Sequence, residues 1–252
     1  LTLELSIKFI MSQNIQSEKK FFDELAEEKF QYSALKKKCF EKLFIELSKS
    51  IINKKKINIM DLGCGTGNFT GKLLSFKSEI YGCDVSEKSI KLAQKLHPEI
   101  NFSVQNIEKL SFENNYFDVV IFSGVLHHFN NLNLPLMEAY RVLKKDGILF
   151  SYDPNLHNPF YWFLRKKNSK FYVSTGVTIN EEPLTKNKII NAMQLQKFKN
   201  IKVYGISNMP LESVAGKLSF FVPLYNFLDY LFDIVPFVRN IIGSFLITKA
   251  SK

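Results

Sequence analysis

Apolar residues first recur at helical spacing: Phe22, Leu25 and Ala26, then Leu35, Cys39, Phe40, Leu43, Phe44, Leu47 and Ile51. Positions three and four apart share one face of a helix, so Ser17 to Ile51 predicts two amphipathic helices. Beyond Lys56 the pattern changes to short apolar runs of β type, at Ile57 to Asp61, Glu79 to Asp84, Ile100 to Gln105, Phe117 to Phe122 and Gly147 to Tyr152. Helical stretches separate them. One follows Ser86, a candidate N-cap, and carries Ile90, Ala93 and Leu96; another runs through Leu132, Leu136, Ala139, Tyr140 and Leu143. Strands alternating with helices build βαβ units, so the fold class is α/β with a mostly parallel sheet.

After Asp153 the spacing loosens at Pro154, Pro159, Gly176 and Pro183, and Thr185 then caps a predicted helix bearing Ile189, Ile190 and Met193. Two late strands, Asn200 to Ile206 and Gly243 to Lys249, close the sheet. Between them lies the most apolar segment, Leu218 to Val238, enough for a helix or a helical pair. Pro223, Asn226, Asp229, Asp233 and Pro236 interrupt it too often for a membrane span. Three readings stay open: a helix packed on the sheet, a lid over a hydrophobic acceptor, or a membrane-surface contact, against which the aspartates count.

The expected organisation is an extension over 1–16 and one domain over 17–252. Within it, 17–56 is an N-terminal helical cap, 57–152 a cofactor-binding core, and 153–252 an acceptor-side segment with an apolar helical insertion at 208–240. The chain has 252 residues, 46% hydrophobic and 23% charged, with 11 Gly and 8 Pro, which excludes a collagen-like or disordered protein. Cys39, Cys64 and Cys83 form no CxxC pair, so neither a disulfide framework nor a zinc site is expected, and a reducing, cytoplasmic setting fits. The charge of +10 comes from dispersed lysines without a stacking-aromatic and arginine motif, so nucleic acid is not favoured.

The strongest chemical signal is Asp61-Leu62-Gly63-Cys64-Gly65-Thr66-Gly67, after an apolar strand and before a predicted helix with Phe69, Leu73 and Leu74. Glycines let backbone turn sharply against a ligand, and the helix would present free N–H groups. Asp84 ends the next strand, where a carboxylate can accept both hydroxyls of a ribose. NAD and S-adenosylmethionine then compete. The dinucleotide fingerprint requires glycine where Asn68 stands, and Asp61 would repel a pyrophosphate but attract the ammonium of a methionine moiety.

These residues resemble the class I S-adenosylmethionine-dependent methyltransferases, in particular the small-molecule group that includes ubiquinone and menaquinone biosynthesis enzymes. The resemblance runs from about Phe21 to Leu149. It adds to the loop and Asp84 the stretches Phe117-Asp118-Val119-Val120, Val125-Leu126-His127-His128 and Arg141-Val142-Leu143-Lys144-Lys145-Asp146-Gly147. It implies a Rossmann-like sheet of seven strands with helices on both faces and the last strand antiparallel. By the same resemblance S-adenosylmethionine is the cofactor: Asp61, Gly63, Gly65 and Gly67 hold its methionine part, Asp84 its ribose and Val85 its adenine, and Cys64 and Ser123 are further cofactor-binding candidates. Asn106, beside Ile107, replaces the family's adenine-binding aspartate, and its side-chain carbonyl can still accept from the amino group. Lys145-Asp146-Gly147 replaces Pro-Gly-Gly.

A sulfonium methyl is already activated, so positioning dominates the work left to the protein. For a hydroxyl acceptor, His128 and secondarily His127 are candidate general bases; the alternative is that they pack over the cofactor or orient substrate. Asp153 to Phe160 is a candidate acceptor-side loop or a Pro-terminated turn. Tyr161, Trp162 and Phe163 wall a pocket or anchor the core, Tyr32 can reach over the cofactor, and His97 and His157 carry weaker claims. The expected partner is a small, in part apolar methyl acceptor, with RNA and a noncatalytic binding role as alternatives.

Overall fold

The computed structural model describes residues 15–28, 36–51, 56–172, 177–210 and 220–252. Tyr32 and residues 1–14 lie outside these. Ile15 and Gln16, expected in an extension, already belong to the first helix, α1 (Ile15–Glu28). α2 (Lys37–Ile51) follows, and β1 (Asn58–Leu62), β2 (Glu79–Asp84), β3 (Asn101–Val104), β4 (Phe117–Ser123) and β5 (Leu143–Pro154) fall on the five apolar runs. α3 (Glu87–Leu96) and α4 (Asn133–Val142) are the intervening helices. The Ser86 hydroxyl accepts from the Ser89 N–H, which satisfies a donor that the first turn of α3 would otherwise leave unpaired.

The C-terminal part adds α5 (Pro159–Leu164), α6 (Lys186–Leu195) capped by Thr185, β6 (Lys199–Ile206), α7 (Val222–Ile234), α8 (Pro236–Ile242) and β7 (Phe245–Ser251). The seven strands run in the order β3-β2-β1-β4-β5-β7-β6. β1 to β5 are mutually parallel, and β7 is antiparallel to both β5 and β6, so β7 alone is reversed.

Each central strand is buried on both faces, which is why it reads as an unbroken apolar run instead of an alternation. Ile59, Val119, Ile121 and Phe150 point to one side, where α2 packs through Leu43 and Leu47 and α3 through Ile90 and Ala93. Met60, Leu62, Val120 and Phe122 point to the other, against Leu136 and Ala139 of α4 and Ile189 and Met193 of α6. This doubly covered sheet brings the carboxyl ends of β1, β2, β3 and β4 to one edge.

Two expectations change. The helix expected after the glycine loop is a 3-10 turn, Thr70–Phe76, ended by Lys77 in left-handed backbone. The apolar segment is a helical pair, but it is not packed on the sheet by its apolar side: Tyr225 and Asp229 are the buried residues of α7. The edge strand β6 instead receives the backbone of α8. A Cβ on Gly205 would lie 2.3 Å from the Arg239 carbonyl, so only glycine admits that approach.

Candidate active site

Gly63, Gly65 and Gly67 all have positive φ, at 69°, 51° and 82°. Their surroundings differ. A Cβ on Gly63 would fall 2.6 Å from the Val125 side chain, and one on Gly67 would crowd His97 and Phe102, whereas one on Gly65 meets nothing within 4 Å. The loop therefore presents bare main chain to open space at Gly65 and packs against protein on either side. Gly63 and Cys64 donate their N–H groups to the Cys83 carbonyl, which ties the loop to the end of β2. Cys39, Cys64 and Cys83 are free thiols, all buried.

Asp84 stands beside this opening. Its Oδ2 accepts from the Gly65 N–H at 3.0 Å and its Oδ1 from the Ser86 N–H at 2.9 Å. Burial raises its pKa, against the lowering effect of those N–H groups. Each oxygen keeps a lone pair, so the half-buried carboxylate can still accept hydroxyl donors. Val85 follows, half-buried, and the Gln105 N–H donates to the Asp84 carbonyl at 3.0 Å, bringing the exit of β3 alongside. Ile107 is buried there. The Asn106 carbonyl oxygen accepts from the Glu108 N–H at 3.0 Å, so it already shapes the turn and has one lone pair left for a ligand.

Asp61 is fully buried, with Thr70 Oγ1 donating to one oxygen at 2.7 Å and Ser123 Oγ to the other. The expected attraction of an ammonium to Asp61 therefore comes from a carboxylate already engaged by two hydroxyls, one of them on half-buried Ser123. Burial pushes its pKa up to about 7, moderated by the two hydroxyls and reinforced by the charge of Asp84. A cation bound near the loop would favour the ionised form. Thr70 was not recognised in the sequence, although its place just beyond the glycines was a usable signal.

At the exit of β4, a 3-10 turn (Leu126–His128) carries both histidines. His127 is buried; its Nδ1 lies 3.0 Å from Asp153 Oδ1, which also accepts its backbone N–H at 3.1 Å. A carboxylate there accepts, so Nδ1 is the ring nitrogen that donates to it. His128 Nδ1 lies 3.1 Å from Thr178 Oγ1 and 3.3 Å from Glu18 Oε2, and its ring meets Phe22 edge-on. Burial alone would lower the His128 pKa, but Glu18, Glu181 and Asp153 outweigh it and the value is raised; the same contact overcomes the burial of Glu18 and lowers its pKa.

Helix α1 thus covers the site from above. Its Asp23 accepts from the Ser86 hydroxyl at 2.6 Å and the Lys88 N–H at 3.1 Å, placing a negative charge at the start of α3, where the helix dipole favours one. Glu18, Asp23, Thr178 and Glu181 were missed in the sequence, because no motif links them to the histidines. His127, His128 and Glu181 also bring ligand-type atoms within 4.8 Å of one another, the kind of grouping that can hold a metal ion.

The amides of Asn155 and Asn158 donate to the carbonyls of Ile241, Gly243 and Ile242, and their oxygens accept from the His157 and Phe160 N–H groups. The Asp153 to Phe160 segment is therefore a turn that fastens β5 to α8, and His157 is exposed. Tyr161 joins the core against Phe245, while Trp162 and Phe163 are exposed. His97 caps the end of α3.

The open face at Gly65, next to a carboxylate with spare lone pairs and a buried acid favouring a nearby cation, fits the residues to S-adenosylmethionine. Residues 60–151 match the family described as a methyltransferase domain. The chain is 33% identical over 177 residues to the malonyl-[acyl-carrier protein] O-methyltransferase of Bacillus cytotoxicus, covering 66% of this chain and 60% of that protein. It is 31% identical over 101 residues to the ubiquinone biosynthesis O-methyltransferase of Pelagibacter ubique, covering 38% of this chain and 41% of that one. Both alignments span less than two thirds of these relatives. Among solved structures, an S-adenosylmethionine-dependent methyltransferase from Archaeoglobus fulgidus shares the fold with a TM-score of 0.57 at 17% identity, over 84% of this chain and 94% of that one. Sheet order, glycine loop and sequence likeness agree: residues 60–151 form a methyltransferase domain, similar to those of S-adenosylmethionine-dependent methyltransferases.

Proposed function

We propose that this protein transfers a methyl group from S-adenosylmethionine to a small, in part apolar acceptor. The hydrogen bond from the Gly65 N–H to Asp84, in a loop whose missing Cβ faces open space, carries this reading. When bound, the cofactor supplies a methyl already activated on a positively charged sulfur. Asp84 accepts the ribose hydroxyls, Val85 and Ile107 flank the adenine with Asn106 at its amino group, and the main chain at Gly63 to Gly67 with Ser123 holds the methionine end.

The remaining work is to align the acceptor, exclude water and, for a hydroxyl, remove its proton. Helix α1 excludes water over His128. For a hydroxyl acceptor, the neutral His128 ring would take up the proton that the hydroxyl gives up. Asp153 holds His127 in one tautomer beside it. Both named relatives are O-methyltransferases, and by that likeness an acceptor oxygen is favoured over carbon or nitrogen, and a small molecule over RNA. No helix among the described residues is long and apolar enough to cross a membrane; the exposed Phe220, Phe227 and Phe237 support our inference that the enzyme meets its apolar acceptor beside a membrane surface.

Calorimetry with S-adenosylhomocysteine tests the site. Binding by the wild type and a loss of about tenfold or more in Asp84→Ala support it; equal affinity in the two proteins refutes the assignment. A transfer screen over quinone precursors, lipids, sugars and tRNA then identifies the acceptor.

A further inference from the structure

Helix α7 is amphipathic in the reverse sense. Phe220, Leu224, Phe227, Leu231 and Ile234 recur every three or four residues and so form one stripe. That stripe faces outward: Phe220 is 82% exposed and Phe227 59%, and Phe237 on α8 is 74% exposed. The polar side turns inward instead. Asp229 is buried and accepts from the Met209 N–H at 2.7 Å, and Asp233 is held by Lys42 of α2 at 3.0 Å and by Arg239 at 3.6 Å. Single exposed apolar residues are ordinary on a protein surface, but a continuous stripe of this extent marks a surface that is covered in use.

Charge selects the cover. Asp229 and Asp233 are the acidic residues of 220–242, and both are engaged toward the protein, so no carboxylate of the hairpin is left to repel an anionic surface. This removes the objection that the sequence raised. Beside α7, α5 packs Phe160 on Tyr225 at 5.0 Å and presents exposed Trp162, over whose ring Lys166 lies at 5.3 Å, with Lys167 and Lys170 next along the chain. An amphipathic aromatic flanked by cations suits the headgroup level of a bilayer. Two copies of a chain of charge +10 would repel one another across the same face, whereas anionic lipid would attract it.

We propose that α7 and α8 lie in the headgroup layer of an anionic membrane, with the Phe220 to Phe237 stripe among the acyl chains and Lys166 and Lys170 at lipid phosphates. Seating of the α8 backbone on β6 at Gly205 fixes this foot to the sheet, so the enzyme docks with one orientation. The inference extends the membrane reading above and is independent of methyl transfer.

Cosedimentation with vesicles of phosphatidylcholine, with and without phosphatidylglycerol, tests it. Wild type is expected to bind the anionic vesicles at least about tenfold more tightly than the neutral ones, and added salt to weaken that binding. Phe227→Ser with Ile234→Ser, both at exposed positions, should reduce binding on the order of tenfold, and Lys166→Glu with Lys170→Glu should erase the preference for phosphatidylglycerol. S-adenosylhomocysteine affinity should be unchanged in all of these variants, so failure of lipid docking and failure of the cofactor site remain separate results. No cosedimentation, equal binding by wild type and the apolar double variant, or a dimer in sedimentation that this variant dissociates would overturn the proposal, the last by assigning the stripe to a second copy of the chain.

Discussion

Glu18, in the first turn of α1, lies 3.3 Å from Nδ1 of His128 at the exit of β4. This contact links the first described helix to the edge of the sheet where the cofactor loop opens. With His128 protonated and Glu18 ionised the pair adds an ionic contribution to this closure, and Thr178 Oγ1, 3.1 Å from the same Nδ1, can hold the neutral ring as well.

The latch is accordingly bounded by pH on both sides. Its contribution fades as pH climbs through the raised His128 value, and again as pH falls through the lowered Glu18 value. Glu18→Gln should bring the His128 pKa down in an NMR titration of the ring and speed amide exchange in α1. An unmoved His128 titration would show that the two residues are not coupled.

Two glycines of one loop should respond differently to alanine. At Gly63 the new methyl meets Val125 at 2.6 Å, so Gly63→Ala should cost about 1–3 kcal/mol in urea unfolding through overpacking. At Gly65 there is space, and backbone strain of roughly 1–2 kcal/mol is the only folding penalty. Gly65→Ala should nevertheless weaken S-adenosylhomocysteine by about tenfold or more, because the methyl enters the ligand's side of the loop. Full affinity in a folded Gly65→Ala protein would place the ligand elsewhere.

Asp61 should make the protein less stable as pH rises from near 3.8 to about 7. Its pKa is higher folded than unfolded, so in that window the unfolded chain has released a proton that the folded protein keeps. Asp61→Asn should flatten this part of the curve of urea midpoint against pH. An identical slope in the variant would mean that Asp61 does not titrate there.

Asp146 occupies left-handed backbone at φ 59° in an exposed position near the start of β5, where the register against β4 shifts and the family resemblance gives glycine. Asp146→Gly should raise stability by about 0.5–1 kcal/mol, the relief of strain exceeding the entropy lost. A fall in thermal midpoint would show that the aspartate side chain supports the turn.

Much of this architecture was readable from the chain. Val119, Val120, Ile121 and Phe122 are unmistakable as a strand covered on both sides, and Ser86 and Thr185 announce helix starts because their hydroxyls replace missing backbone partners. The place of Asp84 was readable because it ends a strand next to a glycine turn. Glu18 was not, since its partner is set by how α1 folds back across the sheet. Nor was the orientation of α7: an apolar stripe has the same period whether it faces core or solvent, and only Asp229 and Asp233, held inside, decide between them. The 3-10 turn after the loop escaped for a local reason, because Phe69, Leu73 and Leu74 suit either kind of helix.

β7 lies between β5 and β6, although it is the last of the seven to be synthesised. A nascent chain that has already laid down β5 must hold that edge unpaired, and keep β6 waiting, until residues 245–251 clear the ribosome. The hairpin of α7 and α8 emerges in the same interval with its phenylalanines bare. Completion of the sheet is therefore the step at which a chaperone would be most needed, and slowed translation of the final strand should raise the aggregated fraction.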